Sequence, residues 1–198
     1  MNFTKFAKEE VHPNAVEKGW WEKELPFVDV VALMHEELSE ALREYRCDRP
    51  MVWYGCGIVK STCIEGKCDY YESGNCGYKN QNPEGIAVEL IDCLLRIFDW
   101  CGHCGTDIQK LCDESKVFSE VEFDSFTSFI AAQHAKLSLA LLRELIDDVP
   151  TRDLHLAVCV NQISNWLAKN YSTDWEKLML EKHEYNKTRP YRHGGKKA

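Results

Sequence analysis

A helix as apolar as the run from Ile86 to about Trp100 has to be buried, so the carboxylates in its middle dictate what can lie beside it. In GIAVELIDCLLRIFDW, Glu89 and Asp92 stand among Val88, Leu90, Ile91, Leu94 and Leu95. Three residues apart on a helix, they share one face, one turn from each other. The earlier stretch HEELSEALREYR repeats the device with Glu37 and Glu40, and adds Glu36 beside them. Taken alone, that stretch reads as a solvated helix face with Glu/Arg pairs. Packed against the apolar helix, it would aim four carboxylates at one point. Unneutralised carboxylates repel each other and resist burial, so the cluster requires cations. Hard oxygen ligands of this kind suit Mg²⁺, with Mn²⁺ as a substitute.

The remaining pattern predicts an all-α chain. Phe27, Val30, Val31, Met34, Leu38, Ala41, Leu42 and Tyr45 recur at helical spacing, and Asp48-Arg49-Pro50 ends that helix. Residues 1–26 read as an irregular opening segment with a short helix. Residues 50–83, rich in Gly, Cys, Tyr and Asn, read as a long loop with room for a short hairpin. A short helix is expected near 106–115, and a long one from Phe126 to Ile146 bounded by Pro150. Thr151 or Asp153 then caps another helix running to Asn170, and Thr173 or Asp174 caps a last one reaching about Lys187.

The chain is acidic, with a formal net charge of −8, which argues against broad nucleic-acid binding. Its positive charge gathers in KTRPYRHGGKKA, a local basic tail that suits a small phosphorylated ligand. No stretch approaches the roughly 20 apolar residues of a membrane span. The opening MNFTKFAKEEVHPNAVEKGWW has no apolar core of the signal-peptide type, so a cytoplasmic location is expected. In that setting the ten cysteines read as free thiols or metal ligands. Cys56, Cys63, Cys68 and Cys76 form a candidate Cys₄ zinc set in the loop, although their spacing fits no common zinc motif. Disulfides formed on oxidation and plain thiols are the alternatives. Trp100-Cys101-Gly102-His103-Cys104 spells a dithiol redox string, but it closes a helix where such sites open one, and it reads as coincidence.

The chain also matches itself. Phe27 to Tyr45 and Phe126 to Glu144 share seven of nineteen residues, where chance gives roughly one. AVELIDCLLRIFDW aligns next with LAVCVNQISNWLAK, and TDIQKL with TDWEKL. An internal duplication is the expected cause, with halves at 1–120 and 121–198; the alternative is that two amphipathic helices merely share a pattern. The second half keeps the apolar periodicity and loses the acids. Ala135 stands opposite Glu36, Lys136 opposite Glu37, Leu139 opposite Glu40, Val158 opposite Glu89, and Asn161 opposite Asp92. One half reads as a working metal site and the other as scaffold. His35 and His134 are equivalent in the two halves and read as packing residues, while Trp20, Trp21 or Trp53 are candidates to line a nucleobase pocket.

EELSE followed by ELID resembles the two-part acidic signature of the all-α nucleoside triphosphate pyrophosphohydrolases, the MazG-like superfamily. PEGIAVELIDCLLRIFD is similar to the family's second motif helix, and EKHEYNKTRPYRHGGKKA to the tail of MazG-like proteins. The resemblance covers about 27–47, 83–111 and 172–197. It implies Mg²⁺-dependent hydrolysis of a (deoxy)nucleoside triphosphate to the monophosphate and pyrophosphate, a nucleotide-pool house-cleaning reaction. It implies that Glu37, Glu40, Glu89 and Asp92 hold the metal, with Glu36 as a further ligand through water or as the base. Lys182, Arg189, Arg192 and Lys196 become phosphate ligands, and Tyr185 and Asn186 sugar or phosphate contacts. Family active sites lie between paired subunits, so the second half is expected to act as a covalently attached partner. The monomer is then a pseudo-dimer, and a further homodimer is optional. The alternative is a non-catalytic nucleotide-binding or helical scaffold protein that keeps the fold.

Overall fold

The structure is a computed structural model that describes residues 1–55, 82–171 and 174–195. The candidate zinc set Cys56, Cys63, Cys68 and Cys76 lies outside the described residues, as does Lys196. The described residues are mostly helical, with one small two-stranded sheet.

The opening segment is more ordered than its sequence suggests. It runs as α1 (Phe3–Phe6), a π-helical turn (Ala7–Val11) and α2 (His12–Glu17) without a break. Asn2 caps it by accepting from the Lys5 backbone N–H. Phe3, Phe6, Ala7, Val11 and Ala15 face the core. Pro26 precedes α3 (Phe27–Arg46), whose buried stripe holds the apolar residues of the sequence pattern down to Ala41. β1 (Trp53–Gly55) pairs antiparallel with β2 (Asn82–Glu84), Tyr54 opposite Pro83. Gly85, at φ +111°, turns the chain from β2 into α4 (Ile86–Cys104). A side chain there would meet the Pro50 and Met51 carbonyls, so the turn admits only glycine. α4 is buried along almost its whole length and forms the axis of the molecule.

After Gly105 closes α4 in the left-handed conformation, α5 (Ile108–Ser115) and a 3-10 turn follow. α6 (Phe126–Glu144) starts in a capping box between Ser125 and Ser128. α7 (Val149–Asn170) is capped by Asp148, not by Thr151 or Asp153, because Pro150 belongs to its first turn. α8 (Trp175–Thr188) is capped by Asp174, and a short α9 (Arg192–Gly195) follows.

α3 packs on α4, α6 packs on α7, and the two pairs join through α3 against α6. At the middle of that seam the His35 and His134 rings stack, with Nδ1 atoms 2.7 Å apart. Tyr45 meets Phe126 at one end. At the other, Arg152 lies over Phe27 and pairs with Glu144 at 2.7 Å. α3 and α6 therefore run antiparallel. The shorter helices cross over: α5, which follows α4, packs on α7, and α8, which follows α7, packs mainly on α4. None of the described helices is long and apolar enough to cross a membrane.

Candidate active site

Where α3, α4, α8, α2 and β2 converge they enclose a cavity of about 640 Å³. That volume is within the range of small-ligand sites. α4 presents Glu89, Asp92, Arg96 and Asp99 to it along one face, and α3 presents Glu36, Glu37 and Glu40. Oxygen atoms of Glu37, Glu89 and Asp92 lie within 4.8 Å of one another. Of the four expected metal carboxylates, the structure brings these three together. Glu40 lines the same cavity but pairs with Arg43 at 3.1 Å, one turn along its own helix. Glu36 lines it too, exposed and without an ion pair among the described residues.

The electrostatics are those of carboxylates held too deep and too close. Burial pushes Glu89 up to about 9, with the Asp92 charge adding to the effect and Lys182 opposing it. Burial and the Asp92 charge push Glu37 up to about 7, against the pull of Arg96. Burial raises Glu84 on β2 as well, partly offset by Lys182. Two cations answer them. Arg96 Nε donates to Glu37 at 3.1 Å. Lys182, 4% exposed on α8, places its ammonium 3.0 Å from Asp92 and donates to the Pro83 carbonyl at 3.1 Å. Burial alone would lower the Lys182 pKa, but the charge and hydrogen bond of Asp92 reverse this and hold it above its usual value.

The other expected ligand-binding residues divide. Asn186 and Arg189 line the cavity with Lys182. Tyr185 does not line it; its ring lies 5.9 Å from the Lys182 ammonium. Arg192 points elsewhere, to Glu22 at 2.8 Å and the Gly19 carbonyl at 3.1 Å. Of the tryptophans, Trp20 lines the cavity. Trp21 donates to Asp99 and stacks on His103, and Trp53 donates to Glu44.

Several lining residues carry no motif in the sequence: Asn14 and Lys18 from the opening helices, Glu84 from β2, and Arg96 and Asp99 from α4. Arg96 and Asp99 were detectable in principle, since they continue the spacing of Glu89 and Asp92 along one helix face. Asp99 accepts from Trp21 and lies 2.8 Å from His12 Nδ1, which ties the opening segment to the cavity floor. The dithiol string has the opposite character to a redox site. Burial raises the buried Cys101 thiol well above its ordinary value, and partial desolvation raises the exposed Cys104 despite the nearby Arg152.

Comparison with protein-family models, with curated proteins and with solved structures gave no match.

Proposed function

We propose that the chain is a Mg²⁺-dependent nucleoside triphosphate pyrophosphohydrolase. The observation that carries this reading is the triad of buried Glu37 and Glu89 with half-buried Asp92, gathered in a cavity that also holds cationic side chains. The donor set fits the ion: three hard oxygen ligands, two of them with their carboxyls raised chiefly by burial, are a site that a divalent cation would ionise. When bound, the ion supplies charge neutralisation at the phosphates and a more acidic water. Glu37, Glu89 and Asp92 would hold it, with Glu40 lining the same cavity. Glu36, exposed on the cavity and without an ion pair among the described residues, takes the proton of the attacking water. That water's oxygen bonds to the α-phosphorus, and the bond to the bridging oxygen breaks to release pyrophosphate. Arg189 and Asn186 bind the departing phosphates and the sugar.

The pseudo-dimer is part of the proposal, and three contacts support it. A two-fold relation brings equivalent residues on its axis into contact, and His35 touches His134. The exchange of α5 and α8 between the helix pairs has the same reciprocity. Carrying the TDIQKL/TDWEKL match four residues further sets Ser115 opposite Lys182. Asn161, opposite Asp92, donates to Ser115 Oγ at 3.2 Å and to the Cys112 carbonyl at 2.7 Å. The ion pair Asp92–Lys182 in one half thus has a neutral counterpart, Asn161–Ser115, in the other. The second half brings Lys182, Asn186 and Arg189 to the first half's acids, as a partner subunit would.

The test is incubation with Mg²⁺ and a panel of canonical and modified nucleoside triphosphates, following pyrophosphate against orthophosphate. Pyrophosphate release abolished by EDTA is expected. Release from none of them, with Mg²⁺ bound, would leave the nucleotide-binding alternative in its place.

A further inference from the structure

Among the cations that line the cavity, most are already paired: Arg43 with Glu40, Arg96 with Glu37, and Lys182 with Asp92. Lys18 is not paired in this sense. Its side chain is only 13% exposed, and its one carboxylate within ion-pair distance, among the described residues, is its neighbour Glu17 at 3.8 Å. Glu17 is itself 78% exposed, and such a contact contributes little. A lysine ordinarily keeps its ammonium in water, and one drawn under cover beside a ligand-sized cavity calls for an anion. Asn14, one helical turn earlier, lines the same cavity and makes no side-chain hydrogen bond to the described residues.

The backbone at Lys18 is also held from outside its own segment. The Arg192 N–H donates to the Lys18 carbonyl at 3.0 Å, and Arg192 Nε donates to the Gly19 carbonyl at 3.1 Å. The guanidinium continues to Glu22 at 2.8 Å, where the Tyr191 hydroxyl also donates. The Tyr191 ring lies over Gly19, in the space where any side chain would stand, and Gly19 has φ +81°. Arg192 itself sits at φ +46°, a conformation that a non-glycine residue adopts only when its surroundings impose it.

We propose that Lys18 binds the polyphosphate of the substrate, and that Arg192 is the positioning residue that holds it there. This rests on the nucleotide reading of the cavity and adds a ligand from the opening segment. A compact ammonium suits a polyphosphate as a point charge beside the forked guanidinium of Arg189.

The experiment is calorimetric titration of the full chain, with Mg²⁺ present, by inorganic tripolyphosphate and separately by a nucleoside monophosphate. Wild type, Lys18→Met, Lys18→Arg and Arg192→Gln are compared, and pyrophosphate release is assayed alongside. Lys18→Met should weaken tripolyphosphate binding about tenfold or more, the scale of one charge-assisted hydrogen bond, and leave the monophosphate within about twofold. Lys18→Arg keeps the charge and should restore most of the loss, which separates a lost ligand from a lost fold. Arg192→Gln should weaken tripolyphosphate less, and add nothing to Lys18→Met in the double variant. Tripolyphosphate binding unchanged in Lys18→Met, or both ligands weakened alike, overturns the assignment of Lys18. An additive double variant overturns the positioning role of Arg192. A wild type that binds tripolyphosphate through Lys18 but releases no pyrophosphate sinks the hydrolase reading alone. One that binds neither ligand sinks both.

Discussion

The helix pairs α3/α4 and α6/α7 present the same kind of packing with opposite interiors. Where α3 and α4 meet α8, the buried polar groups include Glu37, Glu89, Lys182 and His183 beside half-buried Asp92. Where α7 meets α5, they are Asn161 and Ser115, neutral and hydrogen-bonded, and Gln133 donates to Gln162 at 3.0 Å between α6 and α7; the buried charges of this pair, Arg152 and Asp153, neutralise each other. The neutral set is what a helical interface needs to satisfy its polar atoms. The charged set exceeds that need, since it leaves two carboxyls displaced to about 7 and about 9. The difference teaches that packing does not require crowded acids: the other pair's buried carboxylate, Asp153, is matched by Arg152 at 2.7 Å.

Cutting the chain after residue 120 should break the comparison most severely. The acids remain, Lys182 and Arg189 are lost, and activity in the pyrophosphate assay should vanish. Full activity in the fragment would refute the partner role of the second half. Next, Asp92→Ala should lower turnover by about 10² to 10³, the scale of removing one group that stabilises developing charge. Asn161→Ala at the matched position should leave turnover nearly unchanged. It should lower stability by about 1–3 kcal/mol, since the Cys112 carbonyl and Ser115 lose their donor. Equal effects on turnover from the two would erase the distinction between the halves.

A third prediction concerns pH. Free in an unfolded chain, Glu37 and Glu89 lose their protons in the ordinary carboxylate range. Folded and metal-free, they keep them until about 7 and about 9. Between those limits the folded state binds more protons, so stability falls as pH rises. Thermal unfolding in EDTA should show that decline, Mg²⁺ should flatten it, and metal binding near neutral pH should release protons to the buffer. A metal-free stability that rises over this range would contradict the buried, protonated pair. The smallest effect lies on the seam. His35→Ala and His134→Ala should each lower stability by about 0.5–1.5 kcal/mol, with the double variant losing less than the sum. Additive losses would mean that the rings do not act as a pair.

The acidic pairs were legible because helical period and burial conflict at Glu89 and Asp92, and that conflict is local in sequence. The helices themselves were legible from apolar spacing. Their ends were less so: α6 stops at Glu144, with the turn to α7 passing through Asp147 at φ +56°, and Pro150 lies inside α7 where it read as a boundary. Lys18 and Asn14 were not legible, since nothing in their own segment distinguishes a lysine over a cavity from one in water. Only the distant Arg192 decides it. Arg192 misled for the converse reason. An arginine in a basic tail reads as a phosphate ligand, and here it holds backbone.

The crossing of α8 onto α4 sets a schedule for synthesis. Asp92 emerges from the ribosome ninety residues before the ammonium that neutralises it. At about 5–20 residues per second, the nascent first half waits roughly 5–20 s with its acidic face uncovered. During that interval it holds a fragment of a site rather than a weak one. The cavity is therefore completed late, when the C-terminal helix reaches the acids, rather than growing with length.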